Sequence, residues 1–189
     1  MEINTEAIIR DAGMQLTGTT IEREAVRGII ARKAKLLMIH SSVNGDYKFP
    51  GGGVQKGESH QEALAREIRE ECGASMVQMG ALFRKVVEYG IPEEAEYQVF
   101  KMTSYYYACQ VDDTRSELSL EGYEQELGFT PIWTDLDTAL ETNKIISRLD
   151  EKKGQPWITR EIFILEQLKE RFFSTAGPNY IADDNAQII

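Results

Sequence analysis

A glycine-rich bend that leads directly into a capped helix is the feature that most constrains this chain. The bend contains three consecutive glycines, Gly51–Gly53, and glycine lets the backbone take positive φ or approach a ligand closely. Downstream of it, Ser59 and Glu62 have the S-x-x-E form of a capping box, which predicts a helix beginning at Ser59. Gly73 is a typical residue just past the end of a helix. The sequence therefore predicts a rigid loop–helix unit.

The predicted helix carries three carboxylates on one side. At about 100° per residue, Glu67, Glu70 and Glu71 fall within roughly 100° of one another, beside an apolar stripe that includes Leu64 and Ile68. Carboxylates at this spacing repel one another unless a cation lies between them. Oxygen ligands of this kind suit hard cations such as Mg²⁺. A solvated acidic helix face is the alternative that the spacing alone leaves open.

Strand-like and helical patterns alternate on both sides of this unit, which indicates an α/β or α+β domain. A polar turn at 32–35 separates two strands within 25–39, and Ile158 opens the most regular of the later helical patterns. Further strands are predicted at 76–89, 104–111 and 129–133, helices at 135–149 and 158–172, and a surface loop at 112–126. We expect an N-terminal arm or an edge element of the sheet at 1–22, a single domain at 23–174 and a flexible tail at 175–189.

The composition and net charge limit the kinds of molecule that this chain can bind and the compartment that suits it. The 189 residues carry a formal net charge of −10, which disfavours the basic electrostatics of nucleic-acid binding but allows a phosphate substrate bridged by a divalent cation. No apolar run approaches the ~20 residues of a membrane span, and the acidic N-terminus does not resemble a secretory signal. The two cysteines, Cys72 and Cys109, cannot form a disulfide framework, and we expect both to be packing residues. These features predict a cytoplasmic protein.

The segment from Gly52 to Ala74 follows the pattern G-x5-E-x7-R-E-U-x-E-E-x-G-U, in which U is apolar, and resembles the signature box of the Nudix hydrolases. The seven fixed positions are filled by Gly52, Glu58, Arg66, Glu67, Glu70, Glu71 and Gly73, and the two apolar positions by Ile68 and Ala74. Seven fixed residues at this spacing arise by chance at roughly 10⁻⁹ per starting position. Only Ala74 departs from the usual pattern, because it is smaller than the common aliphatic residue.

The resemblance implies a fold and an activity. The fold would be an α/β/α sandwich around a mixed β-sheet. The activity would be hydrolysis of a nucleoside diphosphate linked to another group, with Mg²⁺ as cofactor and Mn²⁺ as a substitute. Looser similarity extends to the Phe-Pro-Gly loop before the box and to a late strand at 127–133.

The same resemblance assigns candidate roles. Glu67, Glu70 and Glu71 would bind the metal, joined by the backbone carbonyl of Gly51 or Gly52, while Arg66 would tie Glu58 of the loop to the helix. Glu67 is also a candidate general base. A glutamate on a later loop is the alternative, and we favour Glu126 over Glu121 and Glu124 because it directly precedes the late strand. The candidate substrate-binding residues are Arg27, His40, Gly52 and Gly53.

The substrate cannot be derived from the box, because specificity depends on residues outside it. A nucleoside triphosphate, including an oxidised one, is the first expectation. ADP-ribose, other nucleotide sugars and dinucleoside polyphosphates stay open. Two other classes share the fold: a non-catalytic nucleotide-sensing module, and an isomerase of prenyl diphosphates, whose variant box and cysteine are not evident here. We expect a small nucleotide partner, no nucleic acid, no membrane, and a homodimer.

Overall fold

Seven strands and four helices follow one another in the computed structural model, which describes residues 6–10, 15–149 and 157–173. In chain order they are β1 (Glu6–Arg10), β2 (Thr20–Arg32), β3 (Lys35–Ser41), β4 (Tyr47–Lys48), α1 (His60–Cys72), β5 (Met76–Gly90), β6 (Val99–Val111), α2 (Gly122–Glu126), β7 (Phe129–Asp135), α3 (Leu136–Leu149) and α4 (Ile158–Phe173).

The strands form one mixed sheet in the order β1-β5-β6-β2-β3-β4, with β7 paired to β3. The pairs β1–β5 and β2–β6 are parallel, whereas β5–β6, β2–β3, β3–β4 and β3–β7 are antiparallel. β2 and β3 pair only at their hairpin end, where Ala31 faces Leu36. The rest of β2 is therefore open on that side to another segment. The expected mixed sheet is confirmed.

Helices cover both faces of the sheet. α1 buries Leu64 and Ile68 against one face, beside Val26 of β2. α3 and α4 cover the other face, where Leu140 and Leu165 join the larger buried cluster. This arrangement matches the predicted α/β/α layering. In the described parts of the chain, none of the helices combines the length and the apolar composition that crossing a membrane requires.

The boundaries of α1 confirm the capping signals in the sequence. Ser59 is the N-cap, its side chain accepts the backbone N–H of Glu62, and the Glu62 carboxylate accepts the N–H of Ser59 in return. Gly73 ends the helix with φ 64°, in the left-handed region that glycine adopts without strain.

Three expectations concern the segments around the central unit. Of the two alternatives for 1–22, an arm or an edge element, the described residues form strand β1, at the edge of the sheet, and the start of β2. The surface loop expected at 112–126 contains the short helix α2, which buries Glu124. The tail at 175–189 lies outside the described residues, and the expected domain boundaries stay predictions.

Candidate active site

The glycine-rich bend lies along the free side of β2. The N–H of Gly28 donates to the carbonyl of Pro50 over 2.8 Å, and the N–H of Val26 donates to that of Gly52 over 3.0 Å. The bend thus occupies the place that a full-length β3 would have taken. This pairing fixes the loop carbonyls relative to the sheet.

Two glycines in the bend lie close against neighbouring groups. Gly51 has φ 133°, and a Cβ there would collide with the carbonyl oxygen of Val26. A Cβ on Gly52 would collide with the carboxylate of Glu67. The bend and the acidic side of α1 are therefore in direct contact.

Arg66 connects the bend to α1. Its guanidinium donates to both carboxylate oxygens of Glu58, at 2.9 and 3.0 Å, and to the carbonyl oxygen of Gly53 at 3.0 Å. The same guanidinium, through Nη1, reaches Glu67 at 2.7 Å and Glu70 at 3.1 Å. Hydrogen bonds from Arg66 hold the pKa of Glu58 below its usual value. Three carboxylates thus converge on one cationic group.

Glu67 and Glu70 differ in exposure. The Glu67 side chain is 12% exposed and that of Glu70 is 34% exposed. Burial raises the pKa of Glu67, although hydrogen bonding to Arg66 opposes the shift. A carboxyl with a raised pKa is better suited to accept a proton near neutral pH.

Glu71 lies deeper, with 1% of its surface exposed. Its carboxylate accepts a hydrogen bond from Lys48 Nζ at 2.6 Å and another from the backbone N–H of Gly51 at 2.6 Å. Burial raises its pKa to about 7, although the attraction of Lys48 acts in the opposite direction. Lys48 Nζ also lies 3.8 Å from buried Glu124, so one ammonium serves two buried carboxylates.

Arg27 stands between the bend and a cavity of about 360 Å³ on the α4 face of the sheet. One guanidinium nitrogen, Nη1, donates to the carbonyl of Gly51, and its Nε is buried without a partner among the described residues. The positive charge of Arg27 also acts on Glu67, where it opposes the rise in pKa that burial causes. Arg27 is therefore shared between the acidic helix and the cavity.

The start of α4 supports the other end of the bend. Glu161 is fully buried and accepts the N–H of Phe49 at 3.0 Å and the hydroxyl of Tyr106 at 3.1 Å. Arg160 donates to the same carboxylate at 3.0 Å and to Glu88. The bend is thus held by a carboxylate from each face of the sheet, Glu71 and Glu161.

The NUDIX domain family profile matches residues 22–152, which include the bend, α1 and the carboxylates of the site. This match covers more than half of the chain. The chain belongs to the Nudix family.

Curated relatives match only part of this chain. An RNA pyrophosphohydrolase of a Nitratiruptor species is 43% identical over 54 residues, which are 29% of this chain and 35% of the relative. One of a Sulfurovum species is 26% identical over 96 residues, or 49% of this chain and 60% of the relative. The chain thus spans between about a third and three fifths of these relatives' length.

Solved structures share the Nudix fold. A NUDIX hydrolase from Nitrosomonas europaea superposes with a TM-score of 0.51 at 18% identity, over 78% of this chain and 90% of that chain. A MutT NUDIX hydrolase from Burkholderia pseudomallei gives a TM-score of 0.50 at 20% identity, over 78% and 98%. At these identities the likeness concerns the fold.

The Nudix box residues and Arg27 come together, but two other candidates lie apart. His40 packs its ring against Tyr47, with 4.9 Å between centroids. Glu126 is exposed at the end of α2, whereas Glu124 turns inward to Lys48. Of the three late glutamates, the structure therefore places Glu124, and not the favoured Glu126, beside the box.

Sequence reasoning missed Lys48 and ranked Glu124 below Glu126. The available signal was Lys48 itself, a cationic residue directly before Phe49-Pro50, where the chain enters the buried bend. A buried ammonium needs a carboxylate partner. The glutamates downstream of the box were the candidates for a second such carboxylate. Nothing in the local sequence separates Glu124 from Glu126, because both lie in the same short acidic stretch.

Residues of the box, with the adjacent Gly51, provide the donor chemistry of a divalent-metal site. Within the described residues, no three His, Cys, Asp or Glu side chains already converge in an arrangement that could hold a metal ion. Glu67, Glu70 and the Gly51 carbonyl are hard oxygen donors, and each is held by an arginine. A group of oxygens that attracts protein cations so strongly fits a hard cation such as Mg²⁺.

Proposed function

We propose that the protein is a metal-dependent pyrophosphohydrolase that cleaves a phosphoric anhydride bond in a nucleoside diphosphate derivative. One observation carries this proposal. The guanidinium of Arg66 joins Glu58, Glu67 and Glu70 to the carbonyl of Gly53, so that the loop and the acidic side of α1 form one connected unit.

Glu67, Glu70 and Glu71 are the proposed metal ligands, together with the carbonyl of Gly51. Mg²⁺, or Mn²⁺ in its place, would supply charge neutralisation of the phosphates and activation of an attacking water. Glu71 now has Lys48 as its cationic partner at 2.6 Å. Metal binding at Glu71 would therefore compete with Lys48.

The chain's own residues provide the other functions. Arg27, with an unpaired Nε beside the bend, would bind a phosphate oxygen. Glu67 is the proposed general base, and its raised pKa supports this role. Glu124 is the second candidate, because it is the late glutamate that lies nearest the box through Lys48.

A free nucleoside triphosphate, including an oxidised one, is the first proposed substrate, because a net charge of −10 opposes binding to a nucleic-acid backbone. The 5′ end of an RNA is the second candidate, since the curated relatives carry the name RNA pyrophosphohydrolase. ADP-ribose, other nucleotide sugars and dinucleoside polyphosphates complete the set to be tested. A homodimer and a cytoplasmic location are part of the proposal.

The test is a nucleotide screen with Mg²⁺, scored by released phosphate or pyrophosphate, on the full chain and two variants. We expect Glu71→Gln to lose about 100-fold or more in turnover at saturating Mg²⁺, by the scale known for metal-site changes. Glu117→Gln, an exposed glutamate outside the site, is the matched control and keeps wild-type turnover. Near wild-type activity of Glu71→Gln would exclude its role as a ligand.

The rival classes give different results in the same screen. Tight nucleotide binding without turnover would indicate a sensing module. Isomerised prenyl diphosphate, with no phosphate released from any nucleotide, would indicate the isomerase class. Sedimentation of the full chain measures the proposed dimer.

A further inference from the structure

The cavity beside Arg27 lies between one face of the sheet and the start of α4, and a glutamate lines it further along the same face. Arg27 of β2 is paired with Tyr106 of β6. Four residues along β6, Met102 is paired with Glu88 of β5. Paired residues, and residues four apart on one strand, share a face of the sheet. Arg27 and Glu88 therefore line the same face, about 13 Å apart along the strand direction.

Glu88 presents one free carboxylate oxygen at the cavity wall. Its side chain is 14% exposed, and Arg160 donates to Oε2. The other oxygen, Oε1, accepts no hydrogen bond from the described residues and remains accessible. Arg160 also donates to the buried carboxylate of Glu161, so two carboxylates share one guanidinium. One negative charge is therefore left over, on the side where Glu88 lines the cavity.

The two ends of the cavity thus differ in hydrogen-bonding character. Beside the bend, Arg27 is about nine-tenths buried, and its Nε–H has no acceptor among the described residues. At the other end, the carboxylate of Glu88 can only accept hydrogen bonds, and each of its oxygens has more than one lone pair. A matching ligand carries an anionic group at the first end and N–H donors at the second. Phosphate oxygens suit the guanidinium.

Apolar side chains form the wall between these ends. Phe100, Met102 and Trp157 line this part of the cavity. The indole of Trp157 is fixed, because its Nε1 donates to Asp46 at 2.7 Å and its ring packs edge-on against Phe129. A fixed aromatic ring favours a planar ring system in the ligand. A volume of about 360 Å³ is at the lower end of the usual range and suits one such ring system.

The carboxylate of Glu88 distinguishes between the nucleic-acid bases. Guanine has two adjacent donors on its Watson–Crick edge, N1–H and the N2 amino group, and a carboxylate can accept one with each oxygen. Adenine and cytosine place an acceptor nitrogen beside their single amino group. Uracil has one N–H between two carbonyl oxygens. Each of these three bases would bring a lone pair against the carboxylate, which costs free energy in a site without water.

We propose that this cavity binds a guanine nucleotide and that Glu88 selects the base. The 5′-phosphates lie on Arg27 beside the bend, the Watson–Crick edge of guanine lies on Glu88, and Trp157 packs against the base. Arg160 is a positioning residue that holds the carboxylate. The inference rests on the proposed function and names the base of its substrate. Two sources share this chemistry: a free guanine nucleotide, and an RNA whose first nucleotide is guanosine.

Binding of product nucleotides tests the inference without catalysis. Titration calorimetry on the full chain without Mg²⁺ compares GMP, IMP and AMP. We expect GMP to bind about 100-fold more tightly than AMP, as for two hydrogen bonds to a charged group. IMP lacks only the N2 amino group and should bind about tenfold more weakly than GMP.

A pair of glutamate variants assigns the preference to Glu88. Glu88→Gln replaces one acceptor oxygen by a donor and should remove most of the advantage of GMP over AMP. Glu22→Gln is the matched control, because Glu22 also has a cationic partner, Lys101, but lies on the other face of the sheet. It should keep the full preference. Thermal unfolding shows whether each variant is folded, and the ligand series on the wild-type chain tests the inference even if Glu88→Gln does not fold.

Equal affinities for GMP and AMP in the wild-type chain would overturn the inference, as would IMP binding as tightly as GMP or a preference that persists in folded Glu88→Gln. The 5′-phosphorylated dinucleotide pGpA distinguishes the sources. Binding as tight as that of GMP assigns the site to RNA ends, and binding as weak as that of AMP assigns it to free guanine nucleotides. If no nucleotide is hydrolysed with Mg²⁺, the proposed function fails, while the base preference is measured independently.

Discussion

Nζ of Lys48 lies 2.6 Å from Oε1 of Glu71, and both side chains are buried within the site. A second carboxylate, Glu124, lies 3.8 Å from the same ammonium, whose charge also faces the ring of Phe129 at 4.6 Å. The ammonium of Lys48 therefore neutralises the most deeply buried carboxylate of the acidic helix, Glu71.

Removing this cation should destabilise the metal-free protein. We expect Lys48→Met to lower the free energy of unfolding by about 3–5 kcal/mol, because it leaves buried carboxylates without a partner. Urea unfolding in EDTA measures the loss. Adding Glu71→Gln to Lys48→Met should recover part of the lost free energy of unfolding. The control is Lys101→Met, which breaks the more exposed pair with Glu22 and should cost less than about 1 kcal/mol. Equal losses in the two single variants would contradict the prediction.

The protonation of Glu71 should make stability depend on pH. Burial raises its pKa from 4.5 to about 7, so the folded state binds the proton more tightly than the unfolded state. Its contribution is fully present below pH 4.5 and is lost as the pH rises towards 7, by about 3 kcal/mol in total. Relative to Glu71→Gln, the metal-free wild type should therefore lose stability over this window. A constant difference between the two unfolding curves would refute the assignment.

Arg66 should influence metal affinity without touching the metal. Arg66→Lys keeps the charge but not the fork that binds both oxygens of Glu58 and also reaches Glu67. We expect the Mg²⁺ concentration for half-maximal activity to rise by about 10–100-fold. Arg69→Lys, at an exposed position of the same helix, is the control. An unchanged Mg²⁺ requirement in Arg66→Lys would show that the carboxylates are oriented without it.

Both cysteines should be unreactive in the folded protein. Burial raises the pKa of Cys109 to about 12 and raises that of Cys72 as well. At pH 8 the thiolate fraction then falls from roughly a quarter for a free cysteine to about 10⁻⁴ for Cys109. Iodoacetamide should modify both thiols rapidly in denaturant and very slowly without it. Rapid labelling of the native protein would show that the thiols are accessible.

The capping box of α1 should contribute measurably to stability. Ser59→Ala removes the acceptor for the Glu62 N–H and should cost about 1 kcal/mol, whereas Ser59→Gly should cost only a few tenths of a kcal/mol. Thermal unfolding of the two variants compares these losses. If alanine is tolerated as well as glycine, the side-chain hydrogen bond is not the stabilising element.

Local signals in the sequence predicted the central unit of the fold. The bend, the start of α1 at Ser59 and its end at Gly73 each depend on residues close in sequence, and all three are as expected. The box predicted the connection of Arg66 to Glu58 for the same reason, since both belong to one spaced motif. The strand pair around the turn at 33–34 also followed from local pattern.

Contacts between distant segments were not predictable in the same way. Lys48 meets Glu124 only because α2 folds back over the bend, and Arg27 meets Gly51 only because the bend follows β2. Strand β1 could not be decided against a loose arm because it is short and because its partner β5 lies far along the chain. In each case the deciding energy comes from tertiary packing, which a local pattern does not encode.

Glu161 gives the final helix a part in shaping the bend. Its carboxylate accepts the N–H of Phe49 and the Tyr106 hydroxyl from inside the core, beyond the end of the family match at residue 152. Transplanting the bend and α1 alone into another scaffold would leave that amide with no acceptor in a region that excludes water. A minimal version of this protein must therefore extend through α4, although every residue of the box precedes it.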